Sequence, residues 1–386
     1  MINFFIRAVI ILTFIFLSFS FNKVSAQGSV NMSLHECWKF ETTQSENLKI
    51  ASDNASELFF SLEGNLQAVN LLDRKIHWKT ELGGEVISNI LYKNEKIFII
   101  TKSNLQKERE KKKEEITVRS ISSLTGLPIW KQTFEITSDK LENKENIGQI
   151  DLIVNDNFLN LVLSSGEIII LEKLDGKVNK QISLDSELSS APIIASQKIY
   201  IGTVKKGIQY LYDGKISILK GLNFYNIAKV IYVSGYDDKD YLFIADQLGI
   251  VYCFSLVSRK MVWKTRTGAE VIGIKEERGF LLVSSNDNFI YSISQKNGNI
   301  KWKKRLAGRS EFAISDDQTL LFLATVNSDT LTVSKSDKGN TINQIFLPDT
   351  NYFVSSPLLI KDFVVTPTNS GFSVYNTSDI PCSIKN

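Results

Sequence analysis

Residues 280–306, FLLVSSNDNFIYSISQKNGNIKWKKRL, fall into a rhythm of short strands. Residues 280–285 form an apolar run. Residues 289–294 alternate apolar and polar side chains, the period-two signature of a half-buried strand. Asn286-Asp287-Asn288 and Asn297-Gly298 are turn signals, because Asn and Gly tolerate positive φ. Ile300-Lys301-Trp302 opens a further strand with a large aromatic near its start. The same order recurs at 58–82 and 242–267, and its second half at 116–134. Residues 158–184 keep the rhythm without a Trp. A repeat of about 40 residues with several short strands per unit predicts an all-β fold. The expected architecture is an eight-bladed β-propeller of four-stranded antiparallel blades.

All five Trp residues stand near the start of a predicted fourth strand: Trp38, Trp78, Trp130, Trp263 and Trp302. Asn179, Ser217 and Asn343 take that place in the remaining units. The eight positions are separated by 40, 52, 49, 38, 46, 39 and 41 residues, and the long steps contain polar insertions. A Trp so placed is read as blade packing, a flat apolar body between neighbours with its N–H on a nearby carbonyl.

Within the second blade, residues 86–92 are expected to form one inner strand. The last blade, near the C-terminus, supplies three strands, over 352–360, 362–366 and 371–376. The stretch 34–42, LHECWKFET, has the form of a Trp-bearing fourth strand with no blade before it. An open ring would expose unpaired strand edges. The N-terminal strand is therefore expected to pair with 371–376 and complete the last blade. Of the three cysteines, Cys37 lies on that strand and Cys382 lies six residues after its partner. A Cys37–Cys382 disulfide would lock the ring, with a nominal stabilisation of about 3–5 kcal/mol. Two free thiols are the alternative. Cys253, in mid-strand, reads as a small buried apolar residue.

Residues 1–26 read as a signal peptide. Arg7 is the positive n-region, 8–21 the apolar core, and Val24-Ser25-Ala26 a small-residue cleavage site. An uncleaved anchor is the alternative, although the apolar run is short for a span. The remaining 27–386 is expected to be a single exported propeller domain, periplasmic or extracellular. It has no transmembrane segment after cleavage. No Cys adjoins the cleavage site, so a lipid anchor is not expected. Cleavage removes Arg7 and Lys23 and takes the formal charge from +3 to +1 (3 − 2). That balance gives no pull on nucleic acid.

The charged insertion 102–115, KSNLQKEREKKKEE, cannot be sheet core. It is expected to be a solvated hairpin extension. A sharper reading makes it a partner-docking arm, carried by Lys107, Arg109, Lys111, Lys112 and Lys113.

The segments LQAVNLLDRKIHWK, VRSISSLTGLPIWK and IYSISQKNGNIKWK carry a resemblance. They resemble the PQQ-like repeat β-propeller family over about 34–376. The resemblance implies a fold more than a function. One branch of that family is the quinoprotein dehydrogenases, which hold pyrroloquinoline quinone and calcium on the ring axis. The other is non-catalytic and includes the BamB-type subunit of the outer-membrane assembly machine. The first branch commonly has adjacent cysteines, and this chain has no Cys-Cys pair. It also needs a Trp to stack on the quinone, and none lies outside the packing series. His35 and His77, the two histidines, both stand beside blade Trp positions, which disfavours a His metal site. No nucleophile triad, phosphate loop or calcium loop is legible. The expected function is thus an exported, non-catalytic scaffold that binds protein partners, with no cofactor. The alternative is a quinone- and calcium-dependent oxidoreductase.

Overall fold

The computed structural model describes residues 34–42, 48–103, 113–137, 150–195, 197–220, 227–236, 239–348 and 350–377. The expected signal peptide, the middle of the charged insertion and Cys382 lie outside them. Residues Met32–Asn386 form one compact unit. The described strands are organised as eight antiparallel sheets. In most of them the second and third strands are buried on both faces, as in Phe289–Ser294 of blade 6. The fourth strands, such as Ile76–Glu81 and Ile300–Arg305, alternate exposed and half-buried positions. The reason is that inner strands are sandwiched between neighbouring blades, while outer strands face solvent at the rim.

Eight separate apolar clusters hold the molecule together, and each joins two consecutive blades. One contains Phe59 of blade 1 and Ile97 of blade 2; another contains Phe243 of blade 5 and Val283 of blade 6. The last pair is blade 8 with blade 1, where Phe372 and Val374 meet Leu58 and Phe60. A chain of pairwise contacts that returns to its start is a closed ring. The fold is therefore the predicted all-β, eight-bladed propeller.

Closure occurs as expected. His35–Glu41 pairs antiparallel with Gly371–Asn376, and Trp38 stands opposite Val374. The pairing supplies blade 8 with its fourth strand and removes two open edges. An aromatic group sits at this seam. Phe40 stacks on Phe372 at 5.2 Å, and Trp38 meets the same ring edge-on at 5.6 Å.

Blade 2 corrects one expectation. Its inner strand is not continuous over 86–92 but is broken into Glu85–Val86 and Leu91–Lys93, both paired with Lys96–Lys102. At the break Ser88 Oγ accepts from the Ile100 N–H at 2.9 Å, replacing a ladder bond. Asn89 Oδ1 accepts from the Leu152 N–H of blade 3 at 3.1 Å. A side chain thus ties two blades together where a strand was expected.

Candidate functional site

A repeated joint connects the rims of neighbouring blades. Trp78 Nε1 donates to Ser123 O at 2.8 Å, and Trp263 Nε1 to Gln295 O at 2.7 Å. Trp130 and Trp302 donate to Lys173 O and Ser336 O, both at 3.1 Å. Every acceptor lies in the turn before the outer strand of the following blade. Each of those turns has a Gly against the Trp ring. A Cβ on Gly176 would lie 2.4 Å from Trp130, and one on Gly298 would lie 2.6 Å from Trp263. No side chain fits there, and Gly298 has φ +74° besides. The expected packing role of these four Trp residues therefore has a concrete geometry.

Trp38 stands apart. Its Nε1 is buried and has no hydrogen-bond partner. The turn that would receive it runs from Asn70 to Lys75. Arg74, at φ 63°, occupies the backbone position that Gly holds in the other four turns. The equivalence is visible in the hydrogen bonds: Arg74 N donates to Asn70 O as Gly298 N donates to Ser294 O, both at 2.9 Å. A side chain begins where the other turns leave room for a ring.

One position in the Trp series needs correction. Seven of the eight outer strands carry a bulge; in the five Trp strands the bulged residue precedes the Trp, as between Ile300 and Trp302 or Glu36 and Trp38. In blade 3 the bulged residue is Asn179, and Lys180 stands opposite Ile170 where the Trp would be. Asn179 is exposed and donates to Glu172 Oε1 at 2.7 Å. Lys180 takes over the joint, its Nζ donating to Gly214 O of blade 4 at 2.5 Å. Counting spacings misplaced the position by one residue because it did not allow for the bulge. Asn343 does occupy the Trp position, opposite Val333, whereas the strand bearing Ser217 has no bulge.

A third residue type strengthens the joints. Two residues beyond the Trp, Thr80 donates to Gly126 O at 2.6 Å, and Lys304 Nζ donates to Gly339 O at 3.0 Å. Lys304 Nζ also donates to Ser334 Oγ at 2.8 Å and to Thr341 Oγ1. Burial pushes its amine down to about 8. Cys253 is free and buried, as expected of a small core residue, and burial pushes its thiol up to about 12.

The proposed arm is rooted in an extended ribbon. Lys113–Ser122 pairs with Pro128–Thr137, and the pair runs on past the neighbouring strand, which ends at Lys102. Lys113, expected in a solvated hairpin extension, is part of this ribbon opposite Thr137. Lys107, Arg109, Lys111 and Lys112 lie outside the described residues. Beside the ribbon, between the outer parts of blades 2 and 3, is a groove of about 370 Å³. Phe134, Ile136, Ile168 and Ile182 are among its apolar walls, and Glu135 and Glu167 are among its polar ones.

Toward the axis, Glu311 accepts from Ser356 Oγ at 2.6 Å and pairs with Arg309 at 3.3 Å. Lys275 Nζ donates to Phe312 O at 3.0 Å. The Lys275 contact crosses from blade 6 to blade 7, and the Ser356 contact from blade 8 to blade 7. Among the described residues, no three His, Cys, Asp or Glu side chains are grouped to hold a metal. His77 stands between Glu57 at 3.2 Å and Asp73 at 3.7 Å on the half-exposed rim of blade 1. Four Trp residues are at the rim joints, and Trp38 is at the closing seam.

Eight blades, rim joints built on Trp and Gly, and a ring sealed by the N-terminal strand define a propeller of PQQ-like repeats. The chain belongs to the family described as outer membrane protein assembly factor BamB, whose profile matches residues 33–216 and 228–377. Among solved structures, the crystal structure of BamB from Moraxella catarrhalis is similar, with a TM-score of 0.63 at 12% identity. The match covers 89% of this chain and 100% of that one. The crystal structure of the computationally designed Ika8 protein has a TM-score of 0.67 at 13% identity, over 88% of this chain and 99% of that one. At such identities the likeness is one of fold. No curated protein matches the chain.

Proposed function

We propose that this chain is an exported, non-catalytic propeller scaffold that binds partner proteins during outer-membrane protein assembly. The observation that carries the reading is the family match over both halves of the ring. It is supported by a fold in which the repeated side chains serve blade packing, which leaves loops and rim free to differ from blade to blade. The ribbon Lys113–Thr137, the charged insertion it carries and the groove beside it are the surface assigned to a partner. The mature chain is assigned to the periplasm or the cell exterior. Among the described residues no helix is long and apolar enough to cross a membrane. The Cys37–Cys382 link is retained within this proposal. Supporting it, Cys37 lies on the closing strand, and Cys253 is the free cysteine among the described residues.

The test is depletion of the protein in its own cell, with the folded β-barrel content of the outer membrane as readout. A loss of folded barrels that the full gene restores is expected. A gene lacking residues 104–112 is expected to restore it less well. Unchanged barrel content on depletion would remove the assembly role. Full restoration by the shortened gene would remove the arm from it.

A further inference from the structure

We propose that the outer edges of blades 5 and 6 form a docking face for an anionic phospholipid surface. Two stretches of the chain that include these edges, 255–269 and 288–309, contain no Asp or Glu and carry ten Lys or Arg. The whole chain has a formal charge of +3, so everything else sums to −7 (3 − 10). Charge is therefore strongly segregated on a nearly neutral molecule. Lys260, Lys264 and Arg266 are exposed on the outer strand of blade 5, and Lys301, Lys303 and Arg305 on that of blade 6. None of the six takes part in a salt bridge among the described residues. Lys301 and Lys303 rest over the rings of Phe280 and Phe289, with Nζ at 4.0 and 5.3 Å from the ring centres.

Protection of strand edges accounts for part of this, since a Lys on an edge strand discourages stray pairing. The other outer strands achieve that with one Lys or none: Lys79, Lys131, Lys180, Lys215 and Lys39 in five blades, and no cation in Thr341–Phe346. The excess on blades 5 and 6 needs a further cause. Exposed apolar side chains lie on the same two edges: Val257, Met261 and Val262 on blade 5 and Ile300 on blade 6. Unpaired cations beside apolar side chains are the composition of a surface that meets the lipid interface. An acidic protein segment would satisfy the cations and leave the apolar residues uncovered. The inference does not depend on which protein the propeller holds.

The test uses the full chain and vesicles of phosphatidylglycerol mixed with phosphatidylcholine, compared with vesicles of phosphatidylcholine alone. Binding to the anionic vesicles is expected, and it should weaken steeply with added salt. Replacing Lys264, Arg266, Lys301, Lys303 and Arg305 with Glu should lower the partition coefficient at least about tenfold. The Gln set should lower it less. The combination Val257→Ser, Met261→Ser, Val262→Ser and Ile300→Ser should cost a smaller, several-fold loss. Every variant keeps the same N-terminal segment, so differences report the edge alone, and an unchanged Tm certifies the ring. If the Glu set unfolds, the Gln set decides. Equal binding to neutral vesicles, unchanged binding by the altered edges, or capture of polyglutamate with no vesicle binding would each overturn the proposal.

Discussion

The seam between blades 5 and 6 and the seam between blades 8 and 1 use the same residue, a Trp on an outer strand, under opposite circumstances. At the first, Trp263 donates to Gln295 O and lies against Gly298. At the second, Trp38 is buried with an unpaired N–H, and Arg74 stands in the glycine position. The chain is continuous from blade 5 to blade 6. At the closing seam the outer strand comes from the other end of the molecule. Where the shared joint is weakest, other contacts stand in: the Trp38–Phe40–Phe372 aromatic group and the antiparallel ladder from His35 to Glu41. A motif repeated in sequence therefore need not contribute equally at each copy. What each copy contributes depends on the turn it meets in the next blade.

The largest difference between the two seams should come from the proposed disulfide, which only the closing seam has. Cys37→Ser is expected to cost about 3–5 kcal/mol, as for a bridge that closes a very long loop. Denatured, unreduced wild-type protein should show one titratable thiol, that of Cys253. Three thiols would remove the bridge from the comparison.

Next comes the glycine. Gly298→Ala places a Cβ 2.6 Å from the Trp263 ring at a left-handed φ of +74°. Overpacking and backbone strain together should cost about 2–4 kcal/mol in denaturant unfolding. The mirror change, Arg74→Gly, should leave stability within about 1 kcal/mol of wild type, because removing the side chain makes room for Trp38 while adding unfolded-state freedom. Equal losses from both would mean that the two turns are not equivalent.

The Trp N–H separates the seams more finely. Trp263→Phe should cost about 1–2 kcal/mol beyond the lost ring area, because Gln295 O loses its donor. Trp38→Phe should cost less, because the removed N–H has no partner to lose. Matched losses would show that both Trp residues serve through area alone.

The smallest effect is one of pH. Lys304 has its amine pushed down to about 8 by burial, against 10.5 in the unfolded chain. Between those values the unfolded state binds more protons than the folded one, so stability should rise with pH in that window. Lys304→Met should flatten the rise. Tyr252 and Tyr291 act in the opposite sense: both are pushed up to about 12 by burial and by their bonds to Asp246 and Asp287, so their contribution falls away above about 10.

Much of this molecule could be read along the chain. Strand alternation, Gly-bearing turns and the 40-residue spacing led to the blades, and the Trp-bearing segment 34–42 with no blade before it led to ring closure. Lys180 was missed because a one-residue bulge shifts which side chain faces the next blade, and spacing along a chain cannot register a bulge. Ser88 and Asn89 have apolar neighbours on both sides, the pattern of a strand. Their side chains bond the backbone in place of a ladder, and that is settled only by what stands opposite. The charge asymmetry at 255–269 and 288–309 was present in the residues, but whole-chain arithmetic averaged it away.

The amino-acid order by itself determined the repeat, the class of fold and the closing strand. Each follows from local periodicity and from the cost of leaving a sheet edge unpaired. The tertiary structure alone decided which Trp N–H finds a carbonyl, which lysine replaces a Trp, and that the cations of two separate stretches share one rim. Those outcomes depend on contacts between blades some 30 to 45 residues apart, as from Trp263 to Gln295 or Trp78 to Ser123. Across such a distance a single side chain at the facing turn, Gly or Arg, changes the result.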